Sequence, residues 1–198
     1  MELIFIRHSI TQGNVEHRFI GLTDLPITPA GEELARKTAP TLPAVEHLYR
    51  SPLLRCRQTA ELLWPGVDHT VIQQLHETDF GPFEGKNHEE LKDDPLYQSW
   101  LNNYGANPNL VPVGETAQQM AERTAKGLRL LLEDAKEKGY HRAAVVSHGG
   151  TMIALMLQFA RPAQSYATWS IGNCSGYWVL VHEEPLTLEI LENIGNIT

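Results

Sequence analysis

A run of four apolar residues, Leu3-Ile4-Phe5-Ile6, ends in Arg7-His8 and gives way at once to a polar turn, Ser9-Ile10-Thr11-Gln12-Gly13-Asn14. Ala143-Ala144-Val145-Val146 repeats the arrangement and ends in Ser147-His148-Gly149-Gly150. Short continuous apolar runs of this kind read as strands buried on both faces, the habit of parallel sheets covered by helices. Parallel strands bring their carboxyl ends to one edge of the sheet, where open α/β folds form their crevices. Two strands that each deliver an imidazole to that edge define an α/β chain and point to phosphate chemistry.

The remaining pattern agrees, with apolar runs alternating with helical stretches. Thr28 as N-cap and Pro29 at the first position predict a helix to about Thr38. Val45 to Tyr49 is a strand candidate, Ser51-Pro52 repeats the cap-plus-proline signal before a helix to about Leu63, and Thr70 to Ile72 is a short strand. Between residues 77 and 113, Gly, Pro, Asn and Asp surround a short amphipathic piece near His88 to Lys92, so an irregular lid is expected. Glu115 to Lys138 carries Met120, Thr124, Leu128, Leu131 and Ala135 on one stripe and ends at Gly139, which predicts a long helix lying on the sheet. A helix from about Thr151 to Phe159 and two closing strands, Gly176 to Val181 and an edge strand Leu186 to Leu191, complete the chain. With 198 residues and no repeat or linker, one globular domain is expected.

A formal net charge of −8 argues against nucleic-acid or anionic-membrane partners, so any anion site has to be a local pocket of positive charge. Neither a signal peptide nor a long apolar span is apparent, and only Cys56 and Cys174 are present, so the cytoplasm is the default expectation. Phosphoryl transfer needs a nucleophile, fixed cations for the nonbridging oxygens and a proton donor for the leaving oxygen. His8 can attack through one ring nitrogen if an acceptor holds the other. Arg7 can curl toward the same anion from the strand end. Arg55, in the first turn of its helix, is a further ligand, whereas Arg57 faces elsewhere. His148, with the amides of Gly149 and Gly150, can meet the same phosphoryl group. For the proton donor, Glu77, Asp79 and Glu84 all lie in the segment after residue 75, and spacing alone does not choose among them.

Arg7-His8-Ser9-Ile10-Thr11, Ser51-Pro52-Leu53-Leu54-Arg55, Leu75-His76-Glu77-Thr78-Asp79-Phe80-Gly81 and Ser147-His148-Gly149 together resemble, in order and spacing, the histidine phosphatase superfamily, in the branch of phosphoglycerate mutases and small phosphatases. The resemblance implies a three-layer α/β/α sandwich with a mostly parallel central sheet and helices on both faces. It implies His8 as the phosphorylated nucleophile, Glu77 as general acid and then base, and Arg7, Arg55 and His148 as the phosphate pocket. Asn14, Gly21 and Gly149 are expected to contact substrate, a small phosphate ester, and neither a metal nor an organic cofactor is implied. The family motif has glycine where this chain has Ser9, which adds a hydroxyl beside the nucleophile.

Mutase members draw arginines from the lid, and none occurs here between Arg57 and Arg123; Lys86, His88 and Lys92 are the lid's candidate cations, which favours hydrolysis. The run from Arg18 to Thr28, which includes Gly21, is similar to α-ribazole phosphatases. A mutase-type phosphotransferase and a non-catalytic phosphate-ester binder are the alternatives. Neither cysteine is followed by arginine six positions on, and Asp-x-Asp-x-Thr, His-Glu-x-x-His and Gly-x4-Gly-Lys motifs do not occur.

Overall fold

The computed structural model describes residues 1–104 and 114–195. Leu3, Ile4, Phe5 and Ile6 are all fully buried, as the apolar run predicts for a strand inside a sheet. That strand, β1 (Glu2–Arg7), pairs in parallel with β4 (Arg142–Ser147), from Glu2 opposite Arg142 to Arg7 opposite Ser147. β2 (His47–Arg50) lies on the far side of β4, also parallel, and β3 (His69–Val71) lies beyond it in the same sense. On its other side β1 pairs antiparallel with β6 (Gly176–Glu183), which pairs antiparallel with β7 (Leu186–Ile194). β5 (Ala160–Arg161) follows, giving the order β3-β2-β4-β1-β6-β7-β5 in a mostly parallel sheet of seven strands. β7 is therefore antiparallel as expected but is not the edge; the two-residue β5, too short to leave a periodic signal, covers it.

The polar turn after β1 forms a one-turn helix, α1 (Gln12–Val15). Alternate side chains of the central strands point to opposite faces. Leu3, Phe5, Ala143 and Val145 join Leu128, Leu131 and Ala135 of α6 (Ala117–Lys138) and Met152, Leu155 and Met156 of α7 (Gly149–Phe159). Ile4, Ile6, Ala144 and Val146 join Ala35 of α2 (Pro29–Thr38) and Cys56, Ala60 and Leu63 of α3 (Leu54–Leu63). Helices thus cover both faces, which makes the predicted three layers. The α6 stripe from Met120 to Ala135 is buried, and Gly139 caps the helix at φ 72°.

Two local expectations fail for physical reasons. α3 begins at Leu54, after Ser51-Pro52, because the Ser51 hydroxyl is engaged by His148 and no side chain of the preceding residue caps the helix. Asp24 instead accepts from the Leu54 amide at 2.7 Å. The described part of the expected irregular lid holds α4 (His88–Leu91), which is the short amphipathic piece expected near His88 to Lys92, and an unexpected ten-residue helix, α5 (Pro95–Tyr104). Its Tyr97 and Trp100 rings pack on Phe83 and Phe19, a tertiary cluster that local periodicity does not reveal. Residues 105–113 of that lid lie outside the described residues. Among the described residues no helix is long and apolar enough to cross a membrane.

Candidate active site

Because β1 and β4 are parallel neighbours in register, the residues that follow them, His8 and His148, emerge side by side. The His8 amide donates to the Ser147 carbonyl at 2.9 Å, and the two ring centroids are 5.2 Å apart. His8 Nδ1 lies 2.7 Å from the Ser9 carbonyl oxygen. A carbonyl only accepts, so Nδ1 carries the proton and Nε2 keeps its lone pair. Burial pushes the His8 pKa well below the ordinary 6.5, and the Arg55 and Arg7 charges push in the same direction. The ring is therefore neutral at neutral pH, the form a nucleophile requires.

His8 opens onto a cavity of about 140 Å³ that is also lined by Arg7, Asn14, Arg18, Arg55 and Glu77. Arg55 is 1% exposed, and its Nη1 and Nη2 donate to the carbonyls of Thr23 and Gly21 at 2.9 and 2.8 Å. Its Nε donates to His148 Nδ1 at 3.2 Å, so three of its five N–H groups are engaged within the protein. Arg7 donates from Nη1 to the Ile171 carbonyl, while its buried Nε has no partner among the described residues. A buried cationic donor left unpaired is costly unless an anion completes it. The Asn14 Oδ1 accepts from the Thr11 amide, the Thr11 hydroxyl and Asn173 Nδ2, which leaves its own amide nitrogen as the donor on offer.

The structure gives some expected residues a different place from the one read off the sequence. His148 is fully buried, accepting from Arg55 through Nδ1 and lying 2.7 Å from the Ser51 hydroxyl through Nε2, so both ring nitrogens are committed to holding the pocket's framework. Gly21 sits behind Arg55: its amide donates to Glu84, and a Cβ there would run into the Thr78 carbonyl. Gly149 opens α7 against the Arg7 guanidinium. The Ser9 hydroxyl donates to the Gly31 carbonyl at 2.7 Å and is fully buried, so it serves packing rather than the cavity. Arg57 forms an exposed pair with Glu61, as expected of a rim residue.

Among the three acids, Glu77 is the one that lines the cavity. Its Oε2 accepts from the Gly150 amide at 3.0 Å and its Oε1 from the Thr78 amide at 2.9 Å. The helix-terminal amide expected to meet phosphate thus orients the carboxyl group instead. A Cβ on Gly150 would stand 2.5 Å from Oε1, which explains glycine at that position. Glu84 gathers the Gly21 and Leu22 amides and the Thr23 hydroxyl, and Asp79 accepts from the Gly81 amide, so both are turn residues.

Sequence reasoning missed several supports. Asn173 donates to the His8 carbonyl at 2.9 Å and ties it to Asn14. Thr59 accepts from the Ser9 amide. Ser147 and Thr151 donate to the carbonyls of Leu75 and His76, just before Glu77. These links span 50 to 165 positions of sequence, and no local motif announces them.

The lowered pKa values of His8 and His148 give a measurable consequence; burial is the chief cause for both, and Arg55 the next. Below the unfolded value of about 6.5 the unfolded chain takes up protons that the native rings refuse, so stability falls as the pH drops from there. Proton NMR of the ring Cε1–H signals is expected to show both rings neutral at pH 6, with Tm declining below pH 6.5. Two rings titrating at ordinary values would contradict the buried, cation-flanked arrangement.

A neutral histidine at a strand end thus shares one small cavity with Arg7, Arg55 and a carboxyl group, an arrangement suited to an anionic group such as phosphate. The model of the histidine phosphatase superfamily (branch 1) matches residues 3–194, and the chain belongs to that superfamily. Probable phosphoglycerate mutase GpmB of Enterobacter sp. strain 638 is 29% identical over 210 residues, covering all of this chain and 94% of the relative. The fold is shared with the α-ribazole phosphatase from Shigella flexneri, at a TM-score of 0.81 and 24% identity over the full length of both chains. A phosphoglycerate mutase from Thermus thermophilus is 31% identical at a TM-score of 0.70, again over both full lengths.

Proposed function

We propose that the protein is a phosphomonoesterase that forms and then hydrolyses a phosphohistidine at His8. The observation that carries this is the charge of the cavity: in a chain of net charge −8, Arg7 and Arg55, neither ion-paired among the described residues, line the space in front of a neutral imidazole together with a single glutamate. A phosphoryl group would engage the unpaired Arg7 Nε, the free N–H groups of Arg55 and the Asn14 amide. His8 Nε2 attacks phosphorus, the P–O ester bond breaks, and the departing oxygen takes its electron pair and a proton from Glu77. Glu77 then draws a proton from water as that water attacks phosphorus, the N–P bond returns its pair to Nε2, and inorganic phosphate leaves. His148 holds Arg55 in place through both steps.

The cavity is smaller than the about 300–1,000 Å³ that encloses a whole drug-sized ligand, so it suits the phosphoryl head alone. Thr78 and Gly150, which orient Glu77, also line a neighbouring hollow of about 280 Å³ with Met120, Ile153, Ala154 and Leu157. No charged side chain lines that hollow among the described residues. We infer that the alcohol portion of the ester lies toward that hollow, which favours esters with an apolar or aromatic portion, α-ribazole 5′-phosphate among them. Arg18, the cation at the cavity's rim, is already paired with Glu16 and Glu90, which leaves it poorly disposed to bind the carboxylate of a phosphoglycerate.

The test is to incubate the enzyme with aryl, apolar alkyl and phosphoglycerate esters, following free phosphate and trapping the acid-labile phosphoprotein by quenching. Stoichiometric phosphate and alcohol release is expected, with kcat/KM at least about 10-fold higher for apolar esters than for 3-phosphoglycerate. Transfer of the phosphoryl group between hydroxyls without free phosphate would make the chain a mutase. Absence of both turnover and phosphoprotein would make it a binder.

A further inference from the structure

Arg123 lies on α6, away from the phosphate cavity, and divides its guanidinium between the segment that presents Glu77 and the carboxylate of Glu115. Nη1 donates to the carbonyls of Gln74 and His76 at 2.7 and 2.9 Å. Nε and Nη2 each donate to one carboxylate oxygen of Glu115 at 2.6 Å, a two-pronged pair whose side chains are only 13% and 11% exposed. Glu115 in turn donates its amide to the Asp79 carbonyl at 2.9 Å, and Gly114, at φ 62°, approaches that carbonyl so closely that a Cβ would collide with it. The turn from Gln74 to Asp79 is therefore gripped at both ends by one segment, with Glu77 in the middle.

We propose that Arg123 and Glu115 are a positioning pair for the general acid: they set where the Glu77 carboxyl stands relative to His8 without touching substrate. The inference rests on the phosphatase activity proposed for the site. A guanidinium fork suits this task because it fixes direction as well as distance, which a lysine cannot do. Misplacing a catalytic group by about 1 Å costs on the order of 10²-fold in rate. In the phosphorylation step the loss is confined to esters whose leaving oxygen needs a proton, whereas hydrolysis of the phosphoenzyme, in which Glu77 is the base, slows alike for all of them.

The experiment compares a 4-nitrophenyl ester, whose phenol leaves with little protonation, with an alkyl ester. Arg123→Met is expected to lower kcat/KM, which reports phosphoryl transfer to His8, about 10²-fold on the alkyl ester and less than about 5-fold on the aryl ester, with the Kd of an uncleaved ester little changed. Arg123→Lys is expected to fall between wild type and Arg123→Met. Since removing one partner strands the other's buried charge, Arg123→Met combined with Glu115→Leu provides a second variant whose folding does not suffer from an unpaired carboxylate. It is expected to show the same selective loss. Equal losses on both esters in the two variants, or no loss, would overturn the positioning role. Measuring Glu77→Gln in parallel separates the two claims: a selective loss there without one at Arg123 sinks the pair alone, whereas no selective loss at Glu77 sinks the acid assignment itself.

Discussion

Replacing His8 with alanine is expected to remove phosphatase activity by at least about 10³-fold on every ester, and to abolish the acid-labile phosphoprotein altogether. The uniformity follows from the geometry. The ring's Nδ1 is held by the Ser9 carbonyl, its charge is suppressed by burial beside Arg55 and Arg7, and its Nε2 is the lone pair left to face the cavity. Arg7 and Arg55 are anchored by Ile171, Thr23, Gly21 and His148 and do not depend on His8, so the variant keeps its cationic nest. Phosphate esters are accordingly expected to bind His8→Ala, which equilibrium binding of an uncleaved ester would show while turnover is lost. Substantial aryl phosphatase activity in His8→Ala would mean that water attacks directly, and the covalent mechanism would fall.

The parts of the fold that the sequence announces are those governed by local rules. β1 and β4 are legible because buried parallel strands admit apolar side chains on both faces, and α6 because its stripe from Met120 to Ala135 repeats at helical spacing before a left-handed glycine. What escapes is set by partners distant in the chain. Ser51-Pro52 looks like a helix start, but His148 takes the hydroxyl and Asp24 caps the helix from another loop. α5 hides among turn-forming residues because what orders Tyr97 and Trp100 is contact with Phe19 and Phe83.

The site divides in the same way. Residues whose chemistry follows from a strand or helix end, such as His8, Arg7 and Arg55, could be named in advance. Glu77 could be singled out from Asp79 and Glu84 only by resemblance, because the choice depends on which carboxylate the Gly150 amide meets. His148 was legible as a member of the site, but its contacts with Arg55 and Ser51 were not. Asn173 and Arg123 carry no local signal, since their value lies in carbonyls far along the chain.

Glu77→Gln supplies the second large effect, and its size is expected to depend on the ester. Glutamine keeps the shape of the side chain and one oxygen, which can accept from the Gly150 amide or the Thr78 amide but not from both, while the phosphate nest of Arg7, Arg55 and Asn14 does not use Glu77 and is expected to persist. What disappears is the ability to give a proton to the departing alcohol and to take one from the attacking water. For an alkyl ester, breaking the P–O bond without protonation leaves an alkoxide, and the loss is expected to fall in the range of about 10²–10⁴ that general acid catalysis supplies. For a 4-nitrophenyl ester the first step hardly needs the acid, so the second becomes limiting. Phosphoenzyme is then expected to accumulate, visible as a burst of nitrophenol followed by slow release of phosphate. A plot of log(kcat/KM), which reports the first step, against leaving-group pKa should steepen in the variant, because charge on the departing oxygen is no longer neutralised. If the slope stayed that of the wild type and no burst appeared, the proton would have to come from elsewhere, and Glu77 would be reduced to a neighbour of the phosphate site.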